Sequence, residues 1–145
     1  MLDEYLTFLK REEGLRLAPY LDQVGLPTIG YGHRIPTLKI PPITEVRAEQ
    51  MLREDAQHAE DKALELCPGL DAFPRPLAAL TDLCFNVGPQ SLIGTGTLKA
   101  FQRRDWPDAQ ARYVKWDKAH DPQGRLVTLP VLTRRRALLA AWITA

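Results

Sequence analysis

The sequence lacks most of the features that mark special environments. It has two cysteines, Cys67 and Cys84, too few for a disulfide framework and not at metal-ligand spacing. Their apolar neighbours, Leu64 and Leu66 for one and Leu83 and Phe85 for the other, fit reduced thiols packed in a core. The three histidines form no cluster with carboxylates at ligand spacing, so neither a metal nor a cofactor is expected. No apolar run approaches the length of a membrane span. The net charge is +1, which excludes a bulk field drawing the chain to nucleic acid, and no such partner is expected. The chain opens Met1-Leu2-Asp3-Glu4, with acids where a signal peptide has basic residues. The expectation is synthesis in the cytoplasm, without signal peptide or membrane anchor. There is no internal repeat or low-complexity tract.

What is present suits one domain with a real core: 145 residues, 45% of them hydrophobic and 26% charged. Leu2, Tyr5, Leu6 and Leu9 share a helical face, so a helix is predicted over 2–13, with Gly14 as its stop. From Leu15 onward Gly25, Pro27, Gly30 and Gly32 punctuate short segments rich in Thr, Ile and Tyr, the pattern of a small antiparallel sheet. "RIPTLKIPPITE" reads as a proline-rich loop, and Thr44 as the N-cap of a long helix to about residue 66. That helix should bury Val46, Met51, Leu52, Ala56, Ala59, Ala63 and Leu66. Further helices are expected over 77–87, 97–103, 106–115 and 129–143, with a polar loop, "DKAHDPQGRLV", before the last. The inner positions of the 77–87 helix are Leu77, Leu80, Leu83 and Cys84. The class is α+β, because nothing alternates strand with helix. The predicted organisation is a single domain: a sheet lobe over about 14–43, a connecting helix over 44–66, and a helical lobe over 66–145 that includes helix 2–13. A groove between two unequal lobes is the natural place for a ligand.

The segment from Arg11 to His33, "REEGLRLAPYLDQVGLPTIGYGH", carries the chemistry. Glycoside hydrolysis needs two carboxyl groups across a sugar ring, one protonated and poorly solvated, the other ionised. Glu12 or Glu13 at the end of an apolar-faced helix offers the first, although acids are unfavourable there because of the helix dipole. Asp22 in a wetter turn offers the second. Periodicity does not choose between Glu12 and Glu13. In a strand, Thr28, Gly30 and Gly32 would share a face with one hydroxyl and no bulk, open to a flat ligand.

Glu13, eight residues, Asp22, five residues, Thr28 and then "IGYGH" resembles the phage-type lysozymes, glycoside hydrolase family 24. Other segments resemble that family in the same order. "TIGYGHRI" is similar to its "TIGxGH", "ITEVRAEQMLREDAQHAE" to its inter-lobe helix, "FNVGPQSLIGTGTLKAF" to its cleft segment and "TRRRALLAAW" to its closing helix. The resemblance implies a lysozyme-like fold and cleavage of the β-1,4 bond between N-acetylmuramic acid and N-acetylglucosamine in peptidoglycan. It implies Glu13 rather than Glu12 as general acid, Asp22 as general base and Thr28 as the hydroxyl beside the attacking water. Gly32, Phe85, Asn86 and Thr97 would bind substrate, with Asn86 a donor to an N-acetyl group. His33 is expected to be structural and bonded to an acid.

The chain departs from the family pattern in lacking an aromatic before "GTGTL" and the glutamate of the closing helix. The resemblance further implies an endolysin that acts as a monomer and depends on a holin for release to the periplasm. The competing readings are a lytic transglycosylase, which needs only one acid, and a non-catalytic wall-binding module. Arg134, Arg135 and Arg136 beside Leu132, Leu138, Leu139 and Trp142 also suggest a basic amphipathic helix with a weak affinity for the outer membrane.

Overall fold

The computed structural model describes residues 1–144. Helix α1 spans Asp3–Glu13 and buries Tyr5, Leu6, Phe8 and Leu9. Asp3 and Glu4 in its first turn and Lys10 and Arg11 in its last suit the helix dipole. Gly14 ends it at φ 67°, ψ 161°, a region that only glycine enters readily, and its N–H donates to the Lys10 carbonyl at 3.1 Å. Strands β1 (Arg16–Leu21), β2 (Pro27–Gly30) and β3 (His33–Arg34) form an antiparallel sheet in chain order. Tyr20 faces Thr28, and a bulge separates that pair from Arg16 opposite Gly30. Thr28 faces Arg34 and Ile29 faces His33.

The proline-rich stretch after β3 has no regular structure, as expected. The Thr44 hydroxyl then accepts from the Arg47 N–H at 3.1 Å and caps α2, Glu45–Leu66. Ala48, Met51, Leu52, Ala56, Ala59 and Ala63 are buried along it. Val46, expected inside, is 71% exposed. It lies two positions, about 200° of helix rotation, from Ala48, which takes the inward place. The chain divides into two compact units within α2, Met1–His58 and the residues from Ala59 onward. The first unit includes α1, which the sequence grouped with the later helices.

In the second unit, α3 spans Pro74–Val87 and starts three residues before the predicted Leu77. Prolines are tolerated there because the first-turn N–H groups have no helical acceptor. Leu77, Leu80, Leu83 and Cys84 are buried as expected. Helices α4 (Gly96–Arg103) and α5 (Trp106–Tyr113) are capped by the side chains of Thr95 and Asp105. Arg104, just past α4, holds a left-handed backbone at φ 60°. Its guanidinium donates to the carbonyls of Phe101 and Pro68 at 2.8 and 2.9 Å and to the Cys67 sulfur at 2.9 Å. It also lies 5.6 Å from the centre of the Phe73 ring.

The predicted polar loop is instead a hairpin of β4 (Lys118–His120) and β5 (Leu126–Thr128). The Asp121 carboxylate accepts from the N–H groups of Gln123 and Arg125 at 3.0 and 2.8 Å and shapes its turn. Helix α6, Pro130–Ala140, closes the described chain and is shorter than the predicted 129–143. The expected basic face of this helix does not exist. Arg135 and Arg136 are 6% and 0% exposed, turned inward onto Asp82, so they are not available to an anionic membrane. Both cysteines are free and buried, and burial pushes the Cys84 thiol up to about 12. No helix among the described residues is long and apolar enough to cross a membrane.

Candidate active site

Glu13 is the last residue of α1, so the glycine turn that stops the helix also fixes where its carboxylate leaves the backbone. Gly32 lies against that carboxylate. A Cβ built on Gly32 would sit 2.7 Å from Glu13 Oε2, and the residue has φ 69°. No side chain fits there. Gly30 also has positive φ, and its missing Cβ would meet Ala48 and Ile43 at 3.4–3.6 Å. The shared strand face expected for Thr28, Gly30 and Gly32 is therefore corrected. Strand β2 stops at Gly30, and the two left-handed glycines curl the chain through Tyr31 into β3. One glycine ends up against α2 and the other against the acid. Glu12, one position earlier, has its Oε1 buried with no hydrogen-bond partner.

Asp22 sits in the turn between β1 and β2. Its own N–H donates to the Leu26 carbonyl at 3.0 Å, and its Oδ1 accepts from the N–H groups of Val24 and Leu26, both at 2.9 Å. An aspartate that bonds backbone two and four residues ahead builds its own turn. Arg34 places a guanidinium nitrogen 3.6 Å from Oδ2. The Leu26 N–H first, then the Val24 N–H and the Arg34 charge, hold the Asp22 carboxyl below the usual carboxylate range, against a desolvation that acts the other way.

Thr28 is 2% exposed, and its hydroxyl donates to the Leu26 carbonyl at 2.9 Å. One peptide residue therefore serves both groups. The Leu26 N–H orients Asp22, and its carbonyl orients Thr28. Sequence reasoning missed Arg34, because only the β2–β3 register sets it opposite Thr28. His33 is structural, as expected: its Nδ1 lies 2.7 Å from Asp55 Oδ2 on α2.

The remaining predicted residues lie in the second unit. Phe85 is half-buried and Asn86 exposed at the end of α3. The Asn86 Oδ1 accepts from Arg136. Thr97, in the first turn of α4, is buried, and its hydroxyl oxygen accepts from the Trp116 indole at 2.9 Å.

The phage lysozyme family model matches residues 10–138. The endolysin of Salmonella phage P22 is 34% identical over 142 residues, 92% of each chain. The endolysin of Acyrthosiphon pisum secondary endosymbiont phage 1 is 34% identical over 131 residues, 90% of this chain and 88% of its own. Among solved structures, the endolysin from Escherichia coli O157:H7 phage FAHEc1 superposes with a TM-score of 0.86 at 26% identity, covering 98% of this chain and 91% of that one. A family match that takes in Asp22, Thr28 and Asn86, with a third of all residues shared along nearly the whole length of an endolysin, assigns the chain: it belongs to the phage lysozyme family and is a lysozyme, a hydrolase of peptidoglycan.

Proposed function

We propose that this lysozyme is an endolysin that cuts the β-1,4 bond between N-acetylmuramic acid and N-acetylglucosamine, with Glu13 as general acid and Asp22 as general base. The observation that carries the reading is the shared tether of Asp22 and Thr28 to Leu26. Glu13 gives its proton to the leaving oxygen. A water on the opposite face of the sugar loses one proton to the Asp22 carboxylate as it attacks. Thr28 has committed its own O–H to the Leu26 carbonyl, so its oxygen offers only lone pairs. It therefore accepts a hydrogen bond from the water's second O–H, whose proton stays on the new hydroxyl, and leaves the water's lone pair aimed at the anomeric carbon. Asp22, held below the usual range by backbone N–H groups, stays ionised to lower pH than an ordinary aspartate, as a base must. The enzyme acts as a monomer at the host wall, reaching it from the cytoplasm through the membrane lesion made by a holin.

The test is digestion of purified peptidoglycan followed by mass spectrometry of the released muropeptides. Reducing ends are expected from the parent, and Asp22→Asn should slow their release by about 10²- to 10⁴-fold. Anhydro-muramyl ends, or an Asp22→Asn protein at the parental rate, would overturn the reading in favour of a transglycosylase.

The Arg34 charge is one of the causes that lower Asp22, so Arg34→Gln should move the acidic limb of the pH–rate profile to higher pH. The sign follows from the role: a base loses activity as pH falls through its pKa, and removing a neighbouring cation raises that pKa. The Leu26 and Val24 N–H groups remain, so the limb should stay in the acid range. An unmoved limb in kcat/KM profiles would detach Arg34 from the base.

A further inference from the structure

The helical unit holds a buried ion cluster built on Asp82. Asp82, on α3 and fully buried, is gripped by Arg135 of α6 through Nε at 2.9 Å and a terminal nitrogen at 2.7 Å. That bidentate pair already matches the two charges. Arg136 is a second, fully buried cation on the same carboxylate, at 3.4 Å. Two of its other donors go to further acceptors. Nε donates to the Trp116 carbonyl at 2.8 Å, and a terminal nitrogen donates to Asn86 Oδ1.

These contacts fix what Asn86 can offer. A guanidinium has donors and no acceptor, so it selects the amide's carbonyl oxygen. The Asn86 NH2 group is then turned away from the cluster, on an exposed residue. An untethered asparagine presents donor or acceptor with equal ease, whereas this one presents donors alone. The Trp116 residue that receives Arg136 also donates its indole N–H to Thr97. The Thr97 oxygen accepts that bond and keeps its own O–H and a second lone pair. Of the predicted substrate residues of this unit, Asn86 is the one that Arg136 orients directly.

We propose that Arg136 is a positioning residue for substrate recognition: it locks Asn86 with its NH2 outward, as the donor to the acetamido carbonyl of a substrate sugar. The inference rests on the reading that Asn86 contacts the glycan.

The decisive variant is Asn86→Asp. It is isosteric, and its carboxylate pairs with Arg136 at least as well as the amide does, so folding should be kept or improved. The outward donor becomes an acceptor. Binding of chitotetraose and of its de-N-acetylated counterpart would be measured by calorimetry, with KM and kcat on peptidoglycan and the melting temperature alongside. The parent should prefer the acetylated sugar. Asn86→Asp should lose that preference, with the loss falling on KM by about tenfold rather than on kcat. Arg136→Lys, where it folds, should raise KM in the same way, because lysine does not reach Asp82, Trp116 and Asn86 together. An Asn86→Asp protein that keeps the parental preference and KM at unchanged melting temperature would overturn the proposal. If the parent releases muropeptides while that variant binds as before, this proposal fails and the muramidase reading stands. If the parent releases none, the muramidase reading fails, and the sugar-binding comparison still decides this one.

Discussion

A Glu13→Gln protein should fold like the parent and release muropeptides about 10³-fold more slowly, within the range removed when a general acid is lost. Glutamine has the size and shape of glutamate, so it fits at the end of α1 against the bare backbone of Gly32, where the carboxylate now lies. What it lacks is a proton to give to the departing sugar oxygen. The companion variant is Glu12→Gln. The two acids are adjacent in sequence and indistinguishable by periodicity, yet Gly32 is fitted to Glu13. Glu12→Gln should therefore retain most of the parental rate. Rates from muropeptide release, with circular dichroism to confirm folding, separate the cases. A silent Glu13→Gln beside a dead Glu12→Gln would exchange their roles.

The largest loss of stability should come from Asp82→Ala. Removing the carboxylate breaks the ion pairs that Arg135 and Arg136 make with it in the interior, a change that costs about 3–5 kcal/mol. That is a large share of the total stability of an ordinary domain. A melting temperature lower by about 10 °C or more is the expected readout. The triple variant Asp82→Leu, Arg135→Met, Arg136→Met replaces the whole cluster with apolar volume and should recover much of that loss. It should also release Asn86 and so weaken substrate binding in a protein that melts near the parental temperature. Thermal unfolding and KM, measured on the same three proteins, keep the two effects apart.

Much of this fold could be read from the chain, because the relevant signals are local. Gly14 stops α1 one residue after Glu13, Thr44 caps α2, and the spacing of Leu77, Leu80 and Leu83 sets the inner face of α3. The failures share a cause: each depends on residues far apart in sequence. Three arginines in a row read as a surface, and their partner Asp82 lies 53 positions before Arg135. An acid between Leu80 and Leu83 on an otherwise apolar face was the available sign that a buried cation was needed. The β4–β5 hairpin escaped because its three-residue strands show little apolar alternation, and its turn is made by an Asp121 side chain rather than by a recognisable pair of turn residues. In the candidate site, the residue types of Glu13, Asp22 and Thr28 were legible and the family resemblance ordered them. The path of Gly30 and Gly32 was not, because strand alternation ends where φ turns positive.

The left-handed Arg104 bears on how the chain folds. A non-glycine residue in that conformation costs of order 1 kcal/mol or more, and the isolated segment has little reason to adopt it. Its compensation comes from Cys67, Pro68 and Phe73, more than 30 positions earlier, together with the nearby Phe101 carbonyl. The α4 terminus and the α2–α3 connection are therefore completed in the same step, with neither gaining its final form first. Protection of the Arg104 and Leu70 amides against hydrogen exchange should rise and fall together, as one cooperative unit of the fold.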